Sequence, residues 1–306
     1  MATGLWLPPA PGAAGAAAGG AHGREDIRLR LICAPSAGMG GWTCFGAWAG
    51  GLPPGTELMP LDVPAHGGRL GDPLPYASSL ADLARQALDG IGRAVLLERP
   101  FALLGHSFGA WLVFEMCQEL RRRAVDGWPQ PLKVYVSACR APQLAGARHD
   151  ADRAQPCLGG LTAERFWPAF EARYGCNPDL QSEHVREFVY PLLRADFELL
   201  ETYAPAELRP LDAPLCALCA DGDARCPPAQ LAAWDRVAGA GFQQRWFGDA
   251  LAPGGWATEH RYATDRPAAL LRFLRADLPL VGGGAPEAGD SGRGEPALSG
   301  APNDAP

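Results

Sequence analysis

The pentapeptide Gly105-His106-Ser107-Phe108-Gly109 constrains this chain more than any other feature, because of what flanks it. Phe101 to Leu104 is a short apolar run of strand type, and Phe108 to Arg123 has helical character. A G-x-S-x-G at a turn from strand into helix holds its serine on a strained backbone and lifts the hydroxyl above the sheet edge. The glycines leave room for the neighbouring strand and helix. The helix N-terminus favours the negative charge that develops there. In a chain with 38 glycines the motif could arise by chance, but both flanking elements argue against that. Ser107 is the candidate nucleophile, and the amide of Phe108 is a natural oxyanion donor. His106 adjoins the serine, yet the turn directs it away from the hydroxyl, so a packing or hydrogen-bonding role is expected for it.

The remaining chain alternates strand and helix signals. Strand-like runs are expected at Arg28 to Pro35, Glu57 to Val63, Leu132 to Ala138, Leu215 to Ala220 and Gln243 to Phe247. Helical stretches are expected at Ser79 to Leu97, Phe108 to Arg123, Pro228 to Ala238 and Arg266 to Ala276. Such alternation predicts an α/β fold, a mostly parallel sheet with helices on both faces. Residues 141–204 break the pattern with two helical runs, Ala163 to Tyr174 and Ser182 to Thr202, and no strand. An insertion there overlies the carboxyl ends of the strands, where such sheets bind ligands, and reads as a helical lid. Pro191 should kink or split its second helix.

A serine hydroxyl needs a base, and the base an acid to hold its tautomer. In folds of this kind the chain order is Ser, acid, His. Of the six histidines, His22, His66 and His106 precede the serine, and His149 and His184 fall in the expected lid. His260 alone follows the last strand and precedes the last helix. The acid should follow the preceding strand, where Asp221 and Asp223 compete. Asp223 lies further into the loop and is favoured, with Asp249 a third option.

Composition sets the wider bounds. The chain has 306 residues, enough for one α/β domain with loose ends. A net charge of −7 and a single lysine argue against nucleic acid as a partner. Arg121-Arg122-Arg123 suits a helix C-terminus. No stretch has the length of a membrane span. Nine cysteines, an odd number, are expected as reduced thiols, which fits the cytoplasm. Cys216-x-x-Cys219 lies in a strand, where residues three apart face opposite ways, so shared metal ligation is not expected. Residues 1–24 read as a flexible arm, 25–280 as the folded domain and 281–306 as a disordered tail. The arm lacks the features of a secretory signal.

At these residues the sequence resembles the type II thioesterases, the stand-alone editing enzymes of polyketide and non-ribosomal peptide synthesis, which are related to the medium-chain thioesterases of fatty acid synthesis. Cys33 to Gly38 (CAPSAG) is similar to the family's early loop, and Gly105 to Ala110 (GHSFGA) to its elbow. Ser137 to Pro142 (SACRAP) resembles the lid entrance. Pro191 to Tyr203 (PLLRADFELLETY) resembles the lid exit and is the most specific of the four. The resemblance implies an α/β-hydrolase fold and a triad of Ser107, Asp223 and His260. It implies an oxyanion hole from the amides of Ala37 and Phe108. It also implies a carrier-protein partner presenting an acyl group on a phosphopantetheine arm, with no cofactor or metal and a monomeric chain. Three departures stand out. The loop before the base reads Gly254-Gly255-Trp256-Ala257-Thr258-Glu259 rather than two glycines directly preceding it. The early loop reads Ala37-Gly38-Met39-Gly40, and Pro64 to Arg69 (PAHGGR) matches the family's Pro-Gly-Arg loop only in part. The residues leave two alternatives open: a carboxylesterase or lipase on the same fold, and a non-catalytic binding protein.

Overall fold

The structure is a computed structural model that describes residues 5–11, 26–151, 157–248 and 259–281. Six strands form one sheet: β1 (Leu29–Ala34), β2 (Thr56–Pro60), β3 (Phe101–His106), β4 (Val134–Ser137), β5 (Leu215–Ala220) and β6 (Phe242–Phe247). Every pairing is parallel, in the order β2-β1-β3-β4-β5-β6. The four central strands are buried throughout, as an apolar run covered on both faces requires. The edge strands β2 and β6 are partly exposed. β2 ends on Pro60, at a sheet edge where a missing N–H costs least.

Helices α1 (Gly41–Phe45), α2 (Leu80–Ile91), α3 (Arg93–Glu98) and α4 (Phe108–Arg123) fill the connections up to β4. The single helix expected over 79–97 is divided at Gly92, whose φ of 83° belongs to the left-handed region that glycine tolerates. Between β4 and β5 lie α5 (Ala163–Tyr174) and α6 (Glu183–Thr202). α7 (Pro228–Ala232) follows β5, and α8 (Tyr262–Asp265) and α9 (Ala268–Asp277) follow β6. α2 packs on α4, while Trp48 Nε1 donates to the Ala263 carbonyl and ties the α1 region to α8. These are the helix layers expected on the two faces of the sheet.

The segment expected as a lid has its own apolar core of Leu158, Leu161, Phe166, Trp167, Phe170, Leu193 and Phe197. Pro191 does not split α6, one of the two outcomes expected of it. The helix runs unbroken from Glu183 to Thr202, and the burial of Leu192, Leu193, Phe197 and Leu199 offsets the hydrogen bond that proline removes.

The N-terminal arm also differs from expectation where it is described. Trp6 is buried, and a Cβ on Gly90 would lie 1.9 Å from its ring. The Arg69 guanidinium stands 4.2 Å over the indole. The Trp6 carbonyl accepts from the Asp62 amide and the Pro8 carbonyl from Trp42 Nε1. One aromatic side chain thus docks residues 5–11; the rest of the arm and nearly all of the tail (282–306) lie outside the described residues. Trp6→Ala should lower the unfolding free energy by about 3 kcal/mol, the low end for truncating a buried aromatic, since the segment can undock. Urea denaturation with a tryptophan-independent probe such as circular dichroism measures this.

Candidate active site

The sheet order reverses beside β1. The chain passes from β1 to β2 on one side and returns to β3 on the other. The loops leaving the carboxyl ends of β1 and β3 diverge there, opening the crevice in which sheets of this kind bind ligands. Ser107 follows β3 and precedes α4, and Ala37 lies in the loop after β1.

Ser107 has φ 53° and ψ −115°, a conformation costly for any residue with a Cβ. Its neighbours require the two glycines. A Cβ on Gly105 would meet the Gly109 carbonyl oxygen at 2.0 Å, and one on Gly109 would meet that of Ala34 at 2.1 Å. The Ser107 amide donates to the Ser137 carbonyl at 2.8 Å, fixing the turn to β4. Phe108 is the first residue of α4, so its amide has no partner within the helix.

His260 stands between the other two predicted residues. Its Nε2 is 2.9 Å from Ser107 Oγ and its Nδ1 is 2.9 Å from Asp223 Oδ2. Asp223 is buried, whereas Asp221 is exposed beside β6; Asp249 lies outside the described residues. Between the two carboxylates, burial and the His260 contact pick out Asp223. Its second oxygen accepts the Arg225 amide at 2.8 Å. Burial opposes ionisation of Asp223, but the His260 contact and the Arg225 amide overcome it and hold the carboxyl below the usual range. With Nδ1–H donating to an ionised Asp223, the neutral imidazole presents Nε2 as an acceptor for the serine proton.

His106 takes no part in this line, as the turn predicted. Its Nδ1 is 2.9 Å from Ser137 Oγ, which is 2.7 Å from the Tyr262 hydroxyl. Its ring lies 5.8 Å from that of His260. Burial, aided by the neighbouring His260, pushes the His106 imidazole down to about 3, so it is neutral at any working pH.

A cavity of about 60 Å³ opens on Ser107 and His260. Its walls mix lid aromatics (Tyr174, Phe197) with charged groups (Arg140, Asp150, Arg173, Arg225). Asp150 accepts from Arg140 at 3.2 Å and from Arg225 at 2.9 Å, and Arg225 lies 5.0 Å over the Tyr174 ring. Glu201 accepts from Arg173 and from the Leu158 and Gly159 amides. Sequence reasoning missed this ion-pair lining, because its members come from four separate segments. All nine cysteines are free. Cys219 lies 3.6 Å from Asp223, and this contact belongs to the acid's surroundings. Among the described residues no side chains group to hold a metal ion, and no helix is long and apolar enough to cross a membrane.

The thioesterase domain family matches residues 29–278. The chain is 26% identical over 264 residues to the gramicidin S biosynthesis protein GrsT of Aneurinibacillus migulanus, covering 85% of this chain and 93% of that protein. It is 28% identical over 181 residues to the medium-chain S-acyl fatty acid synthase thioesterase of Homo sapiens, covering 58% and 63%. Among solved structures it is similar to the RedJ thioesterase of the prodiginine pathway in Streptomyces coelicolor, with a TM-score of 0.70 and 29% identity over 86% of this chain and 96% of that one.

His106 should show no titration between about pH 5 and 8 in imidazole NMR spectra, in contrast to an ordinary histidine near 6.5. Its folded value lies below its unfolded one, so the unfolded state binds the extra proton. Its contribution to stability is full above about 6.5 and is lost as pH falls from there towards about 3. His106→Gln should flatten that part of the stability–pH curve measured by urea titration.

Proposed function

We propose, from the premise that this chain belongs to the thioesterase-domain family, that Ser107, His260 and Asp223 carry its reaction. The protein is a serine hydrolase acting on acyl thioesters, in the manner of relatives that serve peptide, polyketide and fatty acid synthesis. The observation that supports the assignment of roles is the pair of 2.9 Å contacts through His260.

The chemistry follows from that line. His260 Nε2 takes the Ser107 proton as Oγ attacks the thioester carbonyl carbon. The carbonyl oxygen becomes an oxyanion held by the amides of Ala37 and Phe108, each such donor being worth about 10²–10³ in rate. The C–S bond breaks, and the leaving sulfur takes the proton from His260. A water molecule then gives a proton to His260 and attacks the acyl-enzyme, and the proton returns to Ser107 Oγ as the free acid leaves. Asp223 keeps Nδ1 protonated and stabilises the imidazolium that forms twice per cycle.

The partner in this reading is a carrier protein whose phosphopantetheine arm enters beneath the lid, by analogy with relatives of the biosynthetic pathways. The cavity argues for the acyl group it accepts. Walls of paired arginines and carboxylates accept a short or polar acyl group more readily than a long alkyl chain. Burying methylenes against charges forfeits hydrophobic gain and disturbs the pairs.

Ser107→Ala should reduce hydrolysis of acetyl pantetheine to background in a folded protein. Asp223→Asn should lower kcat by about 10³–10⁴, while Asp221→Asn changes it less than about twofold. Full turnover by Ser107→Ala would overturn the mechanism, and equal losses from the two aspartate variants would overturn the choice of acid. In the wild type, kcat/KM should fall by more than about tenfold from acetyl to decanoyl pantetheine. An oxygen ester of the same acyl group, assayed alongside, reports ester against thioester preference.

A further inference from the structure

Asp196 is a carboxylate on the lid helix α6, buried to 1% exposure, that none of these steps uses. Its Oδ2 accepts the Gly38 amide at 2.6 Å, and its Oδ1 accepts the Tyr76 hydroxyl. The same Oδ2 lies 3.1 Å from His66 Nε2, an ion pair rather than an aligned hydrogen bond. His66 Nδ1 donates to the Pro64 carbonyl at 2.9 Å, so the ring faces Asp196 with its second nitrogen. Burial alone would push the His66 imidazole down, but Asp196, with help from Asp62, holds it above the ordinary histidine value. A carboxylate this deeply buried persists only when it is paired and hydrogen-bonded, and here it has three partners.

All these contacts converge on one loop. Gly38 has φ 76°, open to glycine, and a Cβ there would lie 2.4 Å from Leu193 Cδ2. Leu193 and Asp196 are three apart on α6 and share a face. That face presses directly on the loop after β1 that carries Ala37. Asp62, also buried, clamps the far side of the loop by accepting the Gly41 amide at 2.7 Å and the Gly68 amide at 2.7 Å. The segment from Ala37 to Gly41 is therefore held at both ends by a carboxylate, one from the core and one from the lid.

We infer that Asp196 is a positioning residue for the oxyanion hole: by accepting the Gly38 N–H from the lid, it fixes the backbone at Ala37 and aims the Ala37 amide at the developing charge. The inference rests on the proposed role of that amide. It also makes the seating of α6 a condition for a complete oxyanion hole, since lifting the helix withdraws the acceptor.

The test is Asp196→Ala and Asp196→Asn in the full chain, with kcat and KM for acetyl pantetheine. Two affinities accompany them: a trifluoromethyl ketone analogue of the thioester, which forms an oxyanion on Ser107, and a thioether analogue, which does not. Asp196→Ala should lower kcat by about 10²-fold, the scale of one lost oxyanion donor, with KM within about threefold. Trifluoromethyl ketone affinity should fall in parallel and thioether affinity should hold. Asp196→Asn keeps a carbonyl for Gly38 but loses the pairing with His66, and should recover kcat to about tenfold below wild type. Should the alanine variant fail to fold, the asparagine variant must show the same split between the two analogues. A kcat within about twofold of wild type in the folded variant, or equal loss of both affinities, overturns the inference. A wild-type protein that neither hydrolyses the thioester nor labels at Ser107 with a fluorophosphonate overturns the triad reading instead.

Discussion

The strand-to-helix turn at Ser107 is the constraint on which the rest of the architecture depends. Its backbone sits at φ 53°, where a Cβ is costly, and it holds only because close packing surrounds it. Glycines at 105 and 109 let α4 approach β3 and β1 so closely that any side chain would overlap backbone. β4 receives the Ser107 amide. The fully buried central strands make that frame rigid, and the reversal of strand order beside β1 leaves the serine facing an open crevice. Strain at one residue is offset by the burial of a whole sheet.

Electrostatic order is built outward from the turn. Asp223 is buried yet ionised, because His260 and a backbone amide compensate its loss of water. His106, within ring-contact distance of His260, is neutral because burial, aided by His260, outweighs the pull of Asp223, and its Nδ1 meets only the Ser137 hydroxyl. Two histidines 5.8 Å apart thus differ through their surroundings: His260 lies in line with Ser107 and Asp223, whereas His106 is held neutral by burial.

Much of this frame was legible in the chain, for reasons that lie in short-range physics. The central strands are unbroken apolar runs because they are covered on both faces, and α4 and α5 have the limits that their spacing predicts. The order of serine, acid and histidine pointed to His260 despite the longer loop before it, because an insertion in a connection leaves the ends of the elements in place. The position of Asp223, two residues further into its loop than Asp221, was enough to favour it. Illegible were the features made by partners distant in sequence: Trp6 lodged against Gly90, the Asp150 pairs, and the cluster of Asp196, Gly38, Tyr76 and His66. No local pattern marks a carboxylate as destined for an amide 158 residues away. Pro191 shows the opposite case: its local rule allowed a split, and the burial of one helix face keeps α6 continuous through it.

Those long-range contacts share a geometry that bears on the role of the lid. It touches the frame through ionic ties on opposite sides of the serine. Asp196 meets the loop after β1, and Asp150 meets Arg225 in the loop that carries Asp223. Tyr174, beneath Arg225, also faces the His260 ring at 6.3 Å. A lid held by apolar contacts alone could slide over the site at little cost. Charges this far withdrawn from water, Asp196 fully and Asp150 and Arg225 in part, do not slide freely, because each must keep a partner or regain its water. The lid therefore has a seated position defined by charge pairing, and in that position it contributes walls to the cavity and contacts to the loops on either side of Ser107. These ties make the lid part of the site's electrostatics rather than a cover laid over it.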